Sequence, residues 1–443
     1  MEEGKAESYW RALLRKGAPG DSCGALAERM RERRLTFGGR LLCPFLRPFF
    51  LTPADEARVT RAAEALWRLG EQLARAAIDD RSLLTALGLS DAEVNLVQID
   101  PGPGPASTAG RADAFLLPDS LEFAEYNAES PAGAGYSQRL AELFAEHSLM
   151  ARFKERFDVR YYRPVAELLD ALMATYREWG GTARPPRVAI VDWREVPTFS
   201  EFELLRDAFI DAGVPTVIHD PRDLEFDGRA LTADGKRIDF VYRRVLINDI
   251  IARRDECRAL VDAYRAKAVC VANNLRCKIA HKKAFFAILT DRRYHHLFDP
   301  ADLEAVSAHV PRTRTFEDSG IFSIALDDRE RFVLKPNDEY GGSGVKLGWE
   351  TSQKDWDHAL STARIHGTGS GWILQERINV RRETFPICDN DQTVQREMLV
   401  DLAPYLFRGK VAGFLTRLSA TGLANVTSGG GQVPAFVVSE KQA

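Results

Sequence analysis

Arg111-Ala-Asp-Ala-Phe-Leu-Leu-Pro-Asp-Ser-Leu-Glu-Phe-Ala-Glu-Tyr-Asn127 reads as two short strands joined at Pro118 to Ser120, a turn-forming triplet. Successive side chains of a strand point to opposite faces. Arg111 and Asp113 therefore share one face of the first strand, and Phe123, Glu125 and Asn127 share one face of the second. Asp, Glu and Asn supply the oxygen donors that suit magnesium, an ion that retains water and needs only one or a few protein ligands. Arg111, two residues from Asp113, is placed to meet a phosphate held by such an ion. The same alternation also describes the solvated face of an ordinary antiparallel sheet, and the hairpin alone leaves both readings open.

Far downstream, Phe332-Val-Leu-Lys335-Pro-Asn-Asp-Glu-Tyr-Gly341-Gly-Ser-Gly344-Val345 joins a lysine at the end of an apolar strand to a glycine-rich turn. A further strand, Val345 to Trp349, is expected after it. Backbone N–H groups of such a turn can converge on an anion because no Cβ blocks the approach, and the lysine adds a mobile positive charge. The spacing is not that of a P-loop, and no helix follows at once. A plain hairpin with a glycine tip fits this stretch equally well.

Around the two, the chain has the grammar of a layered protein. Thr52 with Pro53 opens an amphipathic helix carrying Val59, Ala62, Leu66, Leu69 and Leu73. Val94 to Ile99 reads as a short apolar strand before the Pro/Gly run 101–105, and helices are expected between Tyr136 and Phe153 and from Val165 to Trp179. Strands at 187–193, 215–219, 239–243 and 268–272, with a helix from Ser200 to Ala212 capped by Ser200, predict a small doubly wound unit. Helices at His281 to Thr290 and Ser352 to Ile365, the strand Trp372 to Arg377, and paired strands 397–402 and 410–417 complete the reading.

The 443 residues carry 60 Lys and Arg against 64 Asp and Glu, a formal charge of -4, so no global field draws the chain to nucleic acid or to a membrane. Small partners are expected. Six scattered cysteines, at 23, 43, 257, 270, 277 and 388, argue against a disulfide framework or structural zinc, and Cys388 reads as an exposed loop cysteine. Met1 to Lys16 lacks the apolar run of a signal peptide, and no stretch reaches the length of a spanning helix, so a soluble cytoplasmic protein is the expectation. His295-His296 lacks a third ligand at metal-binding spacing.

The spacing Arg111-Ala-Asp113 followed by Glu125-Tyr-Asn127 resembles the magnesium site of glutathionylspermidine synthetase and of bacterial circularly permuted ATP-grasp proteins. In that group the acidic motif precedes the lysine and glycine loop, the order found here. Asn274 with Lys282-Lys283-Ala-Phe resembles the segment of the first ATP lysine, and Lys335 with Gly341-Gly-Ser-Gly344 resembles the second lysine and its lid. Trp372-Ile-Leu-Gln375-Glu-Arg-Ile378 resembles the adenine-facing strand and hinge. Phe414-Leu-Thr-Arg417 with Asn425-Val-Thr-Ser-Gly429 resembles the closing segment.

The resemblance implies an α/β (α+β) chain with a permuted ATP-grasp fold like the ATP-binding part of glutathione synthetase, and a small doubly wound pre-ATP-grasp domain. Three regions are expected: 1–180, the N-terminal helices and metal-binding hairpin; 181–275, a β-α-β substrate region; 276–443, the lysine, lid and closing segment. It further implies an ATP- and magnesium-dependent carboxylate–amine ligase working through an acylphosphate. Asp113, Glu125 and Asn127 would hold the metal. Lys283, Lys335, Gly341, Gly342, Ser343, Gly344, Gln375, Glu376 and Ile378 would hold ATP, and Arg111 and Arg417 would meet the transferring phosphoryl group. Lys278 and Lys282, its neighbours, compete with Lys283 for the first lysine, and a solvated helix face is the alternative reading of Lys283. A non-catalytic ATP-binding scaffold and a small-molecule kinase are the alternatives on the same fold. The amidase segment of glutathionylspermidine synthetase is absent, so glutathione and spermidine are not implied as substrates.

Overall fold

The computed structural model describes residues 4–17, 23–118, 120–316, 319–339, 341–366, 371–389, 392–422 and 430–442. Asn425 to Gly429, singled out in the sequence, lie outside the described residues.

Thr52 accepts a hydrogen bond from the Asp55 amide at 3.1 Å, and Pro53 occupies the first position of the helix Pro53–Ala77. Its apolar stripe, with Val59, Ala62, Ala63, Leu66, Leu69 and Leu73 all buried, forms the middle of the largest core. One antiparallel sheet packs on this core. Its strands run in the order Gly431–Val433, Lys410–Ser419, Gln392–Phe407, Ala109–Leu116, Leu121–Asn127, and Arg382–Asp389 also pairs with Gln392–Phe407. The early hairpin is thereby stitched to the C-terminal strands through Tyr405 opposite Arg111.

A second sheet is parallel, in the order Cys270–Ala272, Phe240–Arg243, Val188–Val191, Thr216–His219. Its strands are the apolar runs read as β-α-β, buried on both faces as parallel strands require. Asn273, just past its edge strand, ties this sheet to the hairpin. Its side-chain oxygen accepts from the Ala109 amide at 2.8 Å, and its amide nitrogen donates to the carbonyls of Ala109 (2.6 Å) and Ala128 (2.8 Å). A third sheet, Thr313–Thr315, Trp372–Glu376, Phe332–Pro336, Lys346–Leu347, is antiparallel and carries the lysine strand.

Four local expectations are overturned. Residues 94–99 are no strand: Asp91–Val97 is a helix, because Ser90 and Glu93 form a reciprocal capping box (3.3 and 2.8 Å) that satisfies two first-turn donors. The helix Phe199–Asp211 starts one residue before Ser200, and its N-cap residue, Thr198, makes no side-chain cap bond. The strand after the glycine loop is only Lys346–Leu347, running into a tight turn at Gly348–Glu350. Cys388 lies in the strand Arg382–Asp389 and is disulfide-bonded to Cys23, while Cys43, Cys257, Cys270 and Cys277 are free and buried. No described helix is long and apolar enough to cross a membrane.

Candidate functional site

The two strands of the early hairpin pair with Arg111 opposite Asn127 and Asp113 opposite Glu125, and then the register shifts so that Ala114 faces Phe123. Ala124 is the extra residue of a bulge, and one extra residue reverses the alternation beyond it. Phe123 therefore does not share the face of Glu125. Phe123 and Tyr126 enter the core, whereas Ala124 and Glu125 both line a cavity. The bulge also frees the Ala124 carbonyl, which accepts from Lys335 Nζ at 3.0 Å.

Asp113 is 5% exposed and accepts from two arginines, from Arg111 Nε at 2.9 Å and from Arg417 Nη2 at 2.6 Å. Burial opposes its charge, but the two guanidinium groups hold it well below the usual carboxylate range. Arg417 Nε also donates to Asp401 at 2.5 Å. For Asp401, burial outweighs Arg417, and the charge on Asp113 adds to burial, so its carboxyl is pushed upward. Asn127 Nδ2 donates to Glu125 Oε1 at 3.3 Å.

Across the cavity, Lys335 Nζ donates to Gln375 Oε1 at 2.6 Å, and Gln375 Nε2 donates to Thr313 Oγ1 at 3.2 Å. Burial pushes Lys335 down to about 8, with Lys283 adding to the effect and Glu125 and Asp113 opposing it. Lys283 precedes the helix Ala284–Leu289. Its Nζ donates to the Glu339 carbonyl at 2.6 Å and lies 3.4 Å from Glu125 Oε2. Asn337 brings the two lysines together: its carbonyl accepts from the Lys283 amide at 2.9 Å and its side chain from the Ala284 amide at 2.8 Å.

Lys278 and Lys282 are not on a solvated face. Both are buried, and both donate to Asp338 at 2.7 Å; Lys278 also reaches Glu129 (3.2 Å), and Lys282 reaches Glu93 (2.7 Å). Of the three lysines only Lys283 lines the cavity.

The glycine turn closes one side. Gly341, Gly342 and Gly344 have φ of 65°, 76° and 71°, the left-handed region that favours glycine. At Gly344 a Cβ would sit 2.7 Å from Pro336 Cγ, so the loop can fold back on the lysine strand only with glycine there. Glu376 Oε1 accepts from Arg331 at 2.8 Å, and Ile378 is 8% exposed.

Asp113, Glu125, Lys283, Lys335, Gly341, Gly342, Ser343, Gln375, Glu376, Ile378 and Arg417 thus line a single cavity of ≈ 140 Å³, together with Asp401. Arg111, Asn127 and Gly344 do not line it. The Arg111 guanidinium is instead turned to Asp113 and to the Ala132 carbonyl at 2.9 Å. His295 and His296, left aside as a metal pair, each bond a backbone carbonyl, of Leu289 at 3.2 Å and Arg293 at 2.9 Å. Sequence reasoning missed Asp401, Asn273 and the Ala124 carbonyl. For Asp401 a signal existed, an acid isolated in the apolar run Met398-Leu-Val-Asp-Leu-Ala403 directly opposite Arg417.

The family model for circularly permuted ATP-grasp type 2 matches residues 119–426, a span that begins after Arg111 and Asp113. A protein of Frankia casuarinae provisionally named glutamate–cysteine ligase 2-2 is 24% identical over 332 residues. The match covers 71% of this chain and 36% of that protein, so the chain spans about a third of its relative's length. Among solved structures, the apo form of a glutathione synthetase-like effector from Globodera pallida superposes with a TM-score of 0.63 at 13% identity, covering 98% of both chains. That likeness concerns the fold.

Proposed function

The chain belongs to the circularly permuted ATP-grasp type 2 family, and from that premise we propose that it is an ATP- and magnesium-dependent carboxylate–amine ligase. The observation that carries the proposal is the shared cavity. Asp113 and Glu125 from one end of the chain and Lys335 with its glycine turn from the other face the same small space. The name of the Frankia relative supports the reaction class.

The donor chemistry fits magnesium. Asp113 and Glu125 are cross-strand partners offering only hard oxygens, and each oxygen that already accepts one hydrogen bond keeps a lone pair. No group of three or more His, Cys, Asp or Glu among the described residues forms a ready-made metal cage. Such a donor set suits an ion that completes its shell with phosphate and water. Asp113 and Glu125 would hold it, with Asn127 orienting Glu125, and when bound it would neutralise phosphate charge.

In this mechanism Lys335 and Lys283 meet ATP phosphates, and the turn Gly341–Gly344 covers them with backbone N–H groups. Gln375 holds Lys335 in place. Arg417, which faces the cavity, stabilises the charge of the transferring phosphoryl group. Arg111 acts through Asp113, fixing the carboxylate without touching the nucleotide. The acceptor carboxylate attacks the γ-phosphate to give an acylphosphate and ADP, and the amine then displaces phosphate, forming the amide. The ≈ 140 Å³ cavity is smaller than the roughly 300–1,000 Å³ of ligand pockets, and an outward movement of the glycine turn would enlarge it for ATP.

The test is ADP release with pooled amino acids and polyamines. A ligase releases ADP in quantity only when acid and amine are both present. ADP released over many turnovers without an amine, together with a stable phosphorylated product, would make the chain a kinase, and no release under any pairing would leave a nucleotide-binding scaffold.

A further inference from the structure

Asp338 lies between Lys335 and Gly341, at the root of the glycine turn, and does not itself line the nucleotide cavity. Its carboxylate is divided between two lysines: Oδ1 accepts from Lys278 Nζ and Oδ2 from Lys282 Nζ, each at 2.7 Å. Both lysines are buried, on or just after the helix Cys277–His281, and Lys283 follows directly. The neighbours of Asp338 hold Lys283 as well. The Asn337 carbonyl accepts from the Lys283 amide at 2.9 Å, and the Glu339 carbonyl accepts from Lys283 Nζ at 2.6 Å. Three consecutive residues at the root of the turn are thus fastened to three lysines of one short segment, and within that set only the Asp338 bonds join opposite charges.

Neither buried lysine depends on Asp338 for a partner. Lys278 also donates to Glu129 at 3.2 Å and Lys282 to Glu93 at 2.7 Å, and both of these acids are buried. What Asp338 adds is a tie between this pair of cations and the root of the turn, made of two charge-assisted hydrogen bonds, each stronger than a neutral one. We propose that Asp338 is a positioning residue, which clamps the root of the turn against the segment 278–283 and so keeps Lys283 Nζ aimed into the cavity. This role rests on the nucleotide reading of that cavity. Asp338 touches neither ATP nor metal; it acts through Lys283, whose side chain lines the cavity and bonds the residue next to it. Neutralising Asp338 therefore weakens ATP binding, while Glu129 and Glu93 keep the two lysines paired and the chain folded.

The experiment titrates a non-hydrolysable ATP analogue with magnesium, up to millimolar concentration, into the full chain and follows it by calorimetry. The parent is compared with Lys335→Met, Lys283→Met, Asp338→Asn and the double variant Lys283→Met/Asp338→Asn, and urea unfolding of each checks that it is folded. Asp338→Asn is expected to stay folded and to weaken binding at least ~10-fold in the parent, but under ~3-fold in the Lys283→Met background. A merely structural role would cost the same in both backgrounds. Should Asp338→Asn fail to fold, Lys282→Gln takes its place. It removes one of the two cations while Lys278 stays on Asp338 and stands 3.7 Å from Glu93, and the same dependence on background is expected. Unchanged affinity overturns the proposal, and so does a loss of equal size in both backgrounds. Failure of the nucleotide reading looks different: the parent then does not bind the analogue, or Lys335→Met binds it equally well, and the role of Asp338 falls with that reading.

Discussion

Replacing Lys335 by Met separates what this lysine costs the fold from what it gives the nucleotide site. In the folded chain burial lowers it from 10.5 to about 8, and at 1.36 kcal/mol per unit that gap means its charge costs the fold about 3 kcal/mol at neutral pH. Met keeps the length and removes the charge, but leaves Gln375 Oε1 and the Ala124 carbonyl without their donor, at about 1–3 kcal/mol each. The two effects nearly cancel near pH 7.5, so the variant is expected to fold with a stability within about 3 kcal/mol of the parent. The pH dependence distinguishes them. Above about 8 the folded lysine has released its proton while the unfolded one holds it up to 10.5, so the parent gains stability across that window and the variant does not. Urea unfolding of both proteins at pH 7.5 and 10.5 should show the parent-minus-variant difference move by about 3 kcal/mol in favour of the parent. Under the ligase conditions the same variant should lose on the order of 100- to 1000-fold in ADP release. A difference that stays flat with pH refutes the burial argument, and undiminished ADP release refutes the phosphate role.

Lys283→Met should weaken ATP binding with little change in melting temperature, whereas Lys278→Met should destabilise by about 3–5 kcal/mol, because Glu129 and Asp338 lose a buried partner; calorimetry and urea unfolding read the pair. Arg417→Ala leaves Asp113 and Asp401 facing each other across a buried gap, and a comparable loss of about 3–5 kcal/mol is expected in urea. In the parent, ATP affinity should fall as pH rises through about 8, where Lys335 gives up its proton; titration at pH 7 and pH 9.5 checks the direction, and equal affinities would contradict it. Gly344→Ala, at φ 71° and with its new methyl 2.7 Å from Pro336 Cγ, should cost about 1–2 kcal/mol and raise the KM for ATP.

The hairpin was legible because Pro118 and Ser120 mark a turn and the flanking residues alternate with period two. The bulge at Ala124 was not, since one extra residue leaves no trace in composition and only the pairing with Ala109–Leu116 reveals it. Residues 94–99 misled because a short apolar run suits a strand or a buried helix alike; the deciding signal, Ser90 with Glu93 as a capping pair, lies just before the run and outside it. The pairing of Cys23 with Cys388 spans 365 residues and depends on tertiary placement that spacing does not encode. The lysine strand and glycine turn were legible as a strand running into a left-handed turn, yet choosing among Lys278, Lys282 and Lys283 as the lysine that faces the cavity required the position of Asp338, which claims two of them.

A crystal structure of the chain with a non-hydrolysable ATP analogue and magnesium tests the central claim most directly. The account predicts one nucleotide whose phosphates contact Lys335 and Lys283 beneath the turn Gly341–Gly344, and whose metal is bound by Asp113 or Glu125. A nucleotide seated elsewhere, or a metal beyond coordination distance of both carboxylates, contradicts it.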